Sequence, residues 1–448
     1  MGSFTYLPVE FTKDGVAAKP EQVDAVLKLV GTPTDATPLT DLFVISHGWN
    51  NDIPEAEGLY ASIFAKIDEV LAQANPASTN VRARRAAVVG ILWPSKKFDE
   101  ASLTAGGAAA MTASDADGLK QSLDLLTSFL GTTDATQSLS RAAALVPNLA
   151  GSIDARDEFV RIVRAFMPHD ANNEEPVIAD DLFTLDGDQL LQRLSRPGHD
   201  GAGTPGGGGA GMGGATSMGG AAGLGDWIGK AVNGAKSLVN LVTYYQMKTR
   251  AGDVGTGGVY DMLRQIRAAR PADGTNPLRL HLIGHSFGCR LVTAATAGPA
   301  NTPPLPIDTL VLLQAAFSHY SFAVAYDGTH DGFFRRVVTD PTRVRGSLVI
   351  TFTAKDKAVG LAYPIASRVA RQIAAAMGDA NDPYGGLGRN GAQKTPAVTT
   401  VTLGQVGTPY AFAARGIYNL DSNAVIGGHS DLAHPEVAYA IVSAVAVV

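Results

Sequence analysis

The stretch from residue 278 to residue 296, LRLHLIGHSFGCRLVTAAT, constrains the fold of this chain more than any other. An apolar run leads into the motif GHSFG at residues 284–288, and a segment with apolar residues at helical spacing follows at once. This pattern predicts a strand, a tight turn and a helix, with a serine held on the turn so that its hydroxyl points out of the sheet. No second G-x-S-x-G match occurs in the chain, so Ser286 is the candidate nucleophile.

The two glycines of this motif have a steric role. The strand and the helix pack so closely onto such a turn that a Cβ at Gly284 or Gly288 would collide with a neighbour. The chain contains 50 Gly in 448 residues, so a two-glycine pattern can arise by chance. The interpretation therefore depends on the strand and helix patterns on either side of the motif.

Composition limits the class of protein. A chain of 448 residues, 45% hydrophobic and 17% charged, is typical of a globular protein with one large domain or two to three ordinary ones. The net charge of -6 gives no basic surface for nucleic acid or for an anionic membrane, so we expect neither partner. Cys289 is the only cysteine, which excludes an internal disulfide, and we expect it to be a small packing residue.

The first residues, MGSFTYLPVEFTKDG, lack the basic and apolar regions of a secretory signal, and no apolar run is long enough to span a bilayer. We therefore expect a cytoplasmic protein without a transmembrane segment, with export by a route that needs no signal as the open alternative.

Strand and helix patterns alternate along much of the chain, which predicts an α/β fold with a mostly parallel sheet. Strands are predicted at residues 6–12, 41–46, 84–93, 278–283, 308–314, 346–353 and 397–403, and helices at 20–30, 54–74, 259–269, 363–377 and 435–445. Residues 1–94 and 253–448 are the predicted α/β core.

Residues 95–252 are predicted to be a helical insertion in that core. They contain helix-like patterns around 119–130, 159–166 and 189–194 and no convincing strand. More than half of residues 201–225 are glycine, which predicts a mobile loop, with a glycine-lined binding loop as the alternative. Residues 226–248 predict a helix that either faces the core or lines a pocket.

A serine nucleophile needs a histidine base and a carboxylate that orients it, and in this type of fold they follow the serine in the order acid, then base. Asp356 comes directly after the predicted strand 346–353 and is the candidate acid. His429 lies in the glycine-flanked loop IGGHSDL before the last helix and is the candidate base. Asp327 and Asp331 are the competing acids, and His434 is the competing base.

The remaining histidines fit the pattern less well. His319 and His330 precede Asp356 and break the expected order. His281 alternates within the strand that leads into the turn at residues 284–288, called the elbow below, as a core histidine would. No pair of histidines has the spacing of metal ligands, so we expect neither a metal nor an organic cofactor.

An oxyanion hole needs two backbone N–H groups: one from the residue after the nucleophile and one from the loop after an earlier strand. Phe287 is the first candidate. The second is Trp49, or alternatively Asn50, in HGWN, where Gly48 lets the backbone approach the site and His47 is structural. His285 and Asn50 are also candidates for contacting the substrate.

Five motifs, FVISHGWN, GILWP, LHLIGHSFG, ITFTAKDK and GGHSDL, resemble those of serine hydrolases of the α/β-hydrolase superfamily, in that family's order. The resemblance covers residues 39–94 and 254–448. It implies an α/β-hydrolase fold with a catalytic triad of Ser286, Asp356 and His429, and a cap or lid formed by the insertion.

The resemblance implies hydrolysis of carboxylic esters through an acyl-enzyme, as in esterases and lipases, with a small-molecule or lipid-like ester as the substrate. We expect an apolar portion in that ester because Leu224, Trp227 and Ile228 are apolar. An amidase or acyltransferase with the same triad is one alternative. The other is a non-catalytic interaction protein on a hydrolase scaffold, with the insertion as its binding surface.

Overall fold

A computed structural model of the chain describes residues 1–31, 38–95, 114–168, 180–195, 222–274, 276–359 and 385–448. In these residues eight strands form one sheet with the order β1-β3-β2-β4-β5-β6-β8-β7, and every neighbouring pair is parallel. The strands are β1 Thr5–Glu10, β2 Asp41–Ser46, β3 Ala86–Leu92, β4 Arg279–His285, β5 Thr309–Leu313, β6 Leu348–Phe352, β7 Val398–Thr402 and β8 Ile417–Asp421.

Helices cover both faces of the sheet, and each face has its own apolar core. Successive side chains of β2 alternate between the two cores: Leu42 and Val44 belong to one, Phe43 and Ile45 to the other. A strand buried on both faces must be apolar along its whole length, which explains the continuous apolar runs in the sequence. The described residues therefore form an α/β protein with a parallel sheet.

The helices follow the strands in the alternating order that a parallel sheet requires. Their bounds are α1 Pro20–Val30, α2 Ile53–Ala72, α3 Pro76–Val81, α4 Ser114–Leu130, α5 Thr133–Leu145, α6 Ile153–Arg164, α7 Asp180–Thr184, α8 Gly187–Leu194, α9 Ala222–Val254, α10 Tyr260–Ala269, α11 Phe287–Ala297, α12 Arg335–Thr339, α13 Leu387–Asn390 and α14 Pro435–Val445. In the described parts of the chain, none of them combines the length and apolar character needed to cross a bilayer.

The predicted strands are confirmed to within a few residues, and one strand was missed. β8 lies between β6 and β7 in the sheet, although it follows β7 in the chain. Its sequence IYNLD is short and carries Asn419 and Asp421, so it lacks the apolar run that marks a buried strand. The β-branched stretch VTTVT, which was predicted, forms the edge strand β7.

Between β3 and β4 the described residues are helical, as predicted, and include α5, which the sequence pattern did not indicate. The predicted loop 201–225 needs correction at its end, because α9 begins at Ala222 rather than at residue 226. Helix formation propagates cheaply from an established segment, and Leu238, Val239, Leu241 and Val242 of α9 are buried in the core. Residues 201–221 and the predicted helix 363–377 lie outside the described residues.

Candidate active site

Ser286 lies on a strained turn between β4 and α11. Its backbone has φ 56° and ψ -122°, in a region that non-glycine residues rarely adopt. The turn is held on both sides: the Ser286 N–H donates to the Leu313 carbonyl at 3.1 Å, and the Ser286 carbonyl accepts from the Ala316 N–H at 3.2 Å. Such strain persists only where the surroundings fix the backbone, and it is concentrated at functional sites.

The glycines around Ser286 have the steric role that the sequence predicted. A Cβ on Gly284 would meet the Cα of Cys289, and a Cβ on Gly288 would meet the carbonyl oxygen of Ser46. The elbow strand, the elbow helix and the end of β2 therefore pack through backbone contacts that no side chain could allow.

His429 connects the serine to an acid. It lies in the loop between β8 and α14, and its Nε2 is 2.8 Å from the Ser286 Oγ. Its Nδ1 is 2.8 Å from the Asp356 Oδ2, so the Nδ1–H donates to the carboxylate and Nε2 accepts the serine hydroxyl proton. The three side chains that the sequence selected thus form one hydrogen-bonded chain.

Asp356 is fully buried just after β6. Its Oδ1 accepts the Val359 N–H at 3.0 Å, and its Oδ2 accepts the side-chain amide of Gln314 at 3.1 Å as well as His429. A buried carboxylate needs such donors because it has lost its water. Gln314 was not selected from the sequence. The only signal for it was a polar residue at the end of a predicted buried strand, at the sheet edge that carries ligands.

The competing acids lie elsewhere and bond within their own loop. Asp327 is exposed and accepts the His330 Nδ1–H at 2.7 Å, and the His330 backbone N–H helps to hold its pKa well below the usual range. Asp331 pairs with Arg335 at 2.6 Å. The competing base, His434, is the N-cap of α14 and pairs with Asp431 at 2.7 Å.

His285, predicted to contact the substrate, is buried and faces the loop that carries the base. Its Nε2–H donates to the carbonyl of His429 at 3.0 Å, and its Nδ1 has no hydrogen-bond partner among the described residues. Burial, and then the nearby His429, lower the pKa of His285 to about 3. It is therefore neutral near pH 7 and ties the elbow to the loop of His429.

The loop His47–Asn50 after β2 lies directly against the elbow. A Cβ on Gly48 would stand 2.5 Å from the Cβ of Ser286. The N–H of Asn50 donates to the Ser95 carbonyl at 3.1 Å, so this donor already has a partner. This bond argues against Asn50, the alternative in this loop, as the second oxyanion donor.

His47 has the structural role that its position predicted. It is buried and donates from Nδ1 to the Gly48 carbonyl at 2.9 Å, while Nε2 accepts the Trp93 N–H at 3.2 Å. Burial lowers the pKa of His47 to about 4, so the ring is neutral near pH 7. These bonds fix the loop that carries Trp49 to the end of β3.

Three aromatic rings meet beside the elbow. Tyr244, from α9, lies 5.0 Å from the ring of Phe287 and 6.3 Å from the ring of Trp49, measured between centroids. The rings of Phe287 and Trp49 are 6.0 Å apart. The helix that leads out of the insertion therefore packs a tyrosine against the side chains of both candidate oxyanion residues.

Comparison with protein-family models, with curated proteins and with solved structures found no match to this chain. Within the described ranges, no three His, Cys, Asp or Glu side chains are grouped so that they could hold a metal ion.

Two other residues near the elbow are packing residues, as predicted. His281 is buried, with Nε2 2.9 Å from the Asp41 Oδ1 and Nδ1 3.1 Å from the Thr309 Oγ1. The Cys289 thiol is buried against the Leu313 carbonyl, and burial raises its pKa well above the usual value. Such a thiol stays protonated and unreactive at neutral pH.

Proposed function

We propose that this chain is a serine hydrolase of the α/β-hydrolase superfamily that cleaves carboxylic esters through an acyl-enzyme. The observation that carries the proposal is the chain of two 2.8 Å hydrogen bonds that joins the Ser286 Oγ, His429 and Asp356. A serine on a strained turn, in contact with a histidine that a buried carboxylate orients, is the arrangement that activates a hydroxyl for attack on a carbonyl.

In the first half-reaction the Ser286 Oγ attacks the ester carbonyl carbon and His429 Nε2 takes the hydroxyl proton. Asp356 stabilises the imidazolium that forms. The carbonyl oxygen becomes an oxyanion, which accepts hydrogen bonds from the N–H groups of Phe287 and Trp49. Each such donor contributes about 3 kcal/mol to stabilisation of the transition state.

The tetrahedral intermediate then loses the alcohol, which leaves with the proton held by His429, and Ser286 keeps the acyl group. Water enters, His429 removes its proton, and the resulting hydroxide equivalent attacks the acyl carbon. Collapse of the second intermediate releases the carboxylic acid and returns the proton to Ser286.

The sheet supports this assignment because β4, β6 and β8 are parallel, so the residues that follow them lie at one edge. Ser286 follows β4, Asp356 follows β6 and His429 lies in the loop after β8. Ligands of parallel α/β sheets bind outside this carboxyl edge. The order serine, acid, histidine along the chain is the order found in α/β-hydrolases.

An ester with an apolar portion is the proposed substrate. The aromatic rings of Trp49, Tyr244 and Phe287 beside the elbow support this choice, because such rings offer apolar contact area next to the reacting serine. The apolar residues on which the sequence argument relied, at positions 224, 227 and 228, have side chains outside the described part of the structure.

The test uses the folded chain with a fluorophosphonate probe and p-nitrophenyl esters of increasing acyl length. We expect one covalent adduct on Ser286, ester hydrolysis that rises with acyl length, and loss of both in Ser286→Ala. Ser62→Ala is the matched control, because Ser62 lies on α2 and bonds only its own helix at the Leu59 carbonyl. Absence of an adduct on the folded wild type would contradict the proposal.

The same preparation separates the related reactions. Matched anilides in place of the esters measure amide cleavage, and a primary alcohol added to the ester reaction measures acyl transfer. We expect the esters to react faster than the anilides, and water to remain the main acceptor at millimolar alcohol. Faster anilide cleavage would reassign the chain as an amidase, and dominant transfer to the alcohol would reassign it as an acyltransferase.

A further inference from the structure

Gln314 lies between the nucleophile strand and the acid strand. It is the first residue after β5, which is the neighbour of both β4 and β6 in the sheet. It is completely buried, and its φ of 48° is unusual for a residue with a side chain. A buried polar side chain on a strained backbone requires hydrogen-bond partners, which offset the free-energy cost of burial and strain.

The hydrogen bonds fix the orientation of the Gln314 amide. The Gln314 backbone N–H donates to the Thr351 Oγ1 at 3.1 Å, and the Thr351 hydroxyl donates its own proton to the Gln314 Oε1 at 3.0 Å. The Nε2 group then donates to the Asp356 Oδ2 at 3.1 Å and to the Gly388 carbonyl at 3.0 Å. The reverse orientation would turn the amide oxygen against two acceptors, so it is excluded.

We infer that Gln314 is a positioning residue for the proposed reaction, because its amide holds the Asp356 carboxylate in the orientation that aims it at His429. The inference rests on the proposed function. Asp356 Oδ2 receives Gln314 and His429 together, while Oδ1 receives the Val359 N–H. Rotation of the carboxylate would break all three bonds at once.

The other charged or titratable groups near Asp356 act differently. The Arg389 guanidinium donates to the Asp356 backbone carbonyl at 3.4 Å, not to its carboxylate, and the His285 Nε2–H donates to the His429 carbonyl. Lys355 and Lys357 are exposed on either side. Gln314 is thus the side-chain donor that joins His429 at Oδ2 of the carboxylate.

The decisive variant is Gln314→Glu, which keeps the shape and replaces the donating amide by a carboxyl group. When protonated, this carboxyl can donate to Asp356, and when ionised it repels Asp356. Burial and the neighbouring carboxylate both raise the pKa of this carboxyl group, so we expect it to ionise within the pH range of the measurement. We expect the ratio of variant to wild-type kcat/KM to fall about 10-fold to 100-fold as pH rises from about 5 to about 9.

Gln314→Met has a similar shape and no donor. We expect its kcat to fall about tenfold at every pH with KM unchanged, and its rate of fluorophosphonate labelling to fall by the same factor. The matched control is Gln393→Met, because the half-buried Gln393 amide donates to the Asn390 carbonyl away from the acid. The ratio of kcat/KM of Gln393→Met to that of the wild type should stay near one at all pH values.

The outcomes separate the two proposals, with folding checked by circular dichroism and thermal unfolding. A folded wild type that neither labels nor hydrolyses esters overturns the reaction and this role together. An active wild type with a pH-independent ratio for Gln314→Glu overturns the role of Gln314 alone. If Gln314→Glu does not fold, the test is the rate of fluorophosphonate labelling of folded Gln314→Met. A rate equal to that of the wild type overturns the role of Gln314, and a tenfold slower rate supports it.

Discussion

Gly48 lies directly against the side chain of Ser286: a Cβ on Gly48 would stand 2.5 Å from the Ser286 Cβ and 3.1 Å from its Oγ. The loop after β2 and the elbow after β4 are therefore tightly packed, and the gap between them is too small for one additional methyl group. Any donor that the loop offers to a substrate oxygen is positioned by this contact.

Gly48→Ala should abolish most of the activity. The added methyl group must displace either the loop or the serine, and a displacement of about 1 Å at reacting groups can cost about 10²-fold in rate. Steady-state hydrolysis of an activated ester measures the loss. Gly58→Ala is the control, because Gly58 is exposed on α2 and a Cβ there meets no atom within 4 Å. It should keep full activity and raise stability by about 0.5–1 kcal/mol.

Asp356→Asn should lower kcat by about 10⁴-fold with little change in fold. The asparagine can turn its NH₂ group towards Nδ1 of His429, which favours the tautomer with the proton on Nε2. That tautomer cannot accept the serine proton.

Asp327→Asn and Asp331→Asn are the comparison variants for this prediction, because both carboxylates are exposed and bond within their own loop. We expect wild-type kcat for both. If Asp356→Asn kept full activity and one of the other two variants lost most of its kcat, the residue replaced in that variant would be the catalytic acid instead.

His285→Phe should lower kcat about tenfold and leave KM within about twofold of the wild type. The ring keeps its place in the core, but the 3.0 Å bond to the His429 carbonyl is lost, so the loop of the base is less well fixed. A substrate contact would give the opposite pattern, with a raised KM and unchanged kcat. Steady-state kinetics over a range of ester concentrations distinguishes the two roles.

Tyr244→Leu should change the preference for acyl length. Loss of the ring that contacts Phe287 and Trp49 removes apolar contact area beside the elbow. We expect kcat/KM to fall more for long acyl esters than for acetate, by about tenfold. Tyr244→Phe keeps the ring and should retain the wild-type preference. An equal loss for all esters would assign Tyr244 to packing alone.

Acid should destabilise the protein through its buried neutral histidines. The pKa of His47 is lowered from 6.5 to about 4, so the unfolded state binds the proton first and stability falls as pH drops from 6.5 to 4. The shift corresponds to about 3 kcal/mol. His285 acts in the same direction down to a pKa of about 3.

Urea unfolding of the wild type and of His285→Phe between pH 7 and pH 4 measures this effect. The variant lacks one of the two buried histidines with a lowered pKa, so its free energy of unfolding should decrease less as the pH falls from 7 to 4. His330→Gln is the control, because the side chain of His330 is exposed and its removal leaves the buried histidines in place. Equal slopes for all three proteins would contradict the prediction.

Much of the candidate site could be predicted because its signals are local. The motif around Ser286 specifies a strand, a turn and a helix through glycines within five residues, and the HGWN loop follows an apolar run directly. Asp356 and His429 were selected by their places just past an apolar strand and in a glycine-flanked loop. Each of these patterns is contained in one short segment of the chain.

Other parts of the site depend on contacts between distant segments. The amide of Gln314 is aimed by Thr351 and Gly388, and the side chain of His285 by the carbonyl of His429. β8 was missed because its short, partly polar sequence becomes a strand only between β6 and β7. No window of sequence contains these pairings.

The sequence by itself determined the alternation of strands and helices, the strained serine and the identity of the residues that could act with it, because backbone sterics and apolar periodicity act over a few residues. The tertiary structure alone decided that Ser286, His429 and Asp356 meet at 2.8 Å, that Gln314 supports the acid and that Tyr244 packs beside the elbow. Those distances follow from the register of the parallel sheet and from packing on its two faces, which join residues far apart in the chain.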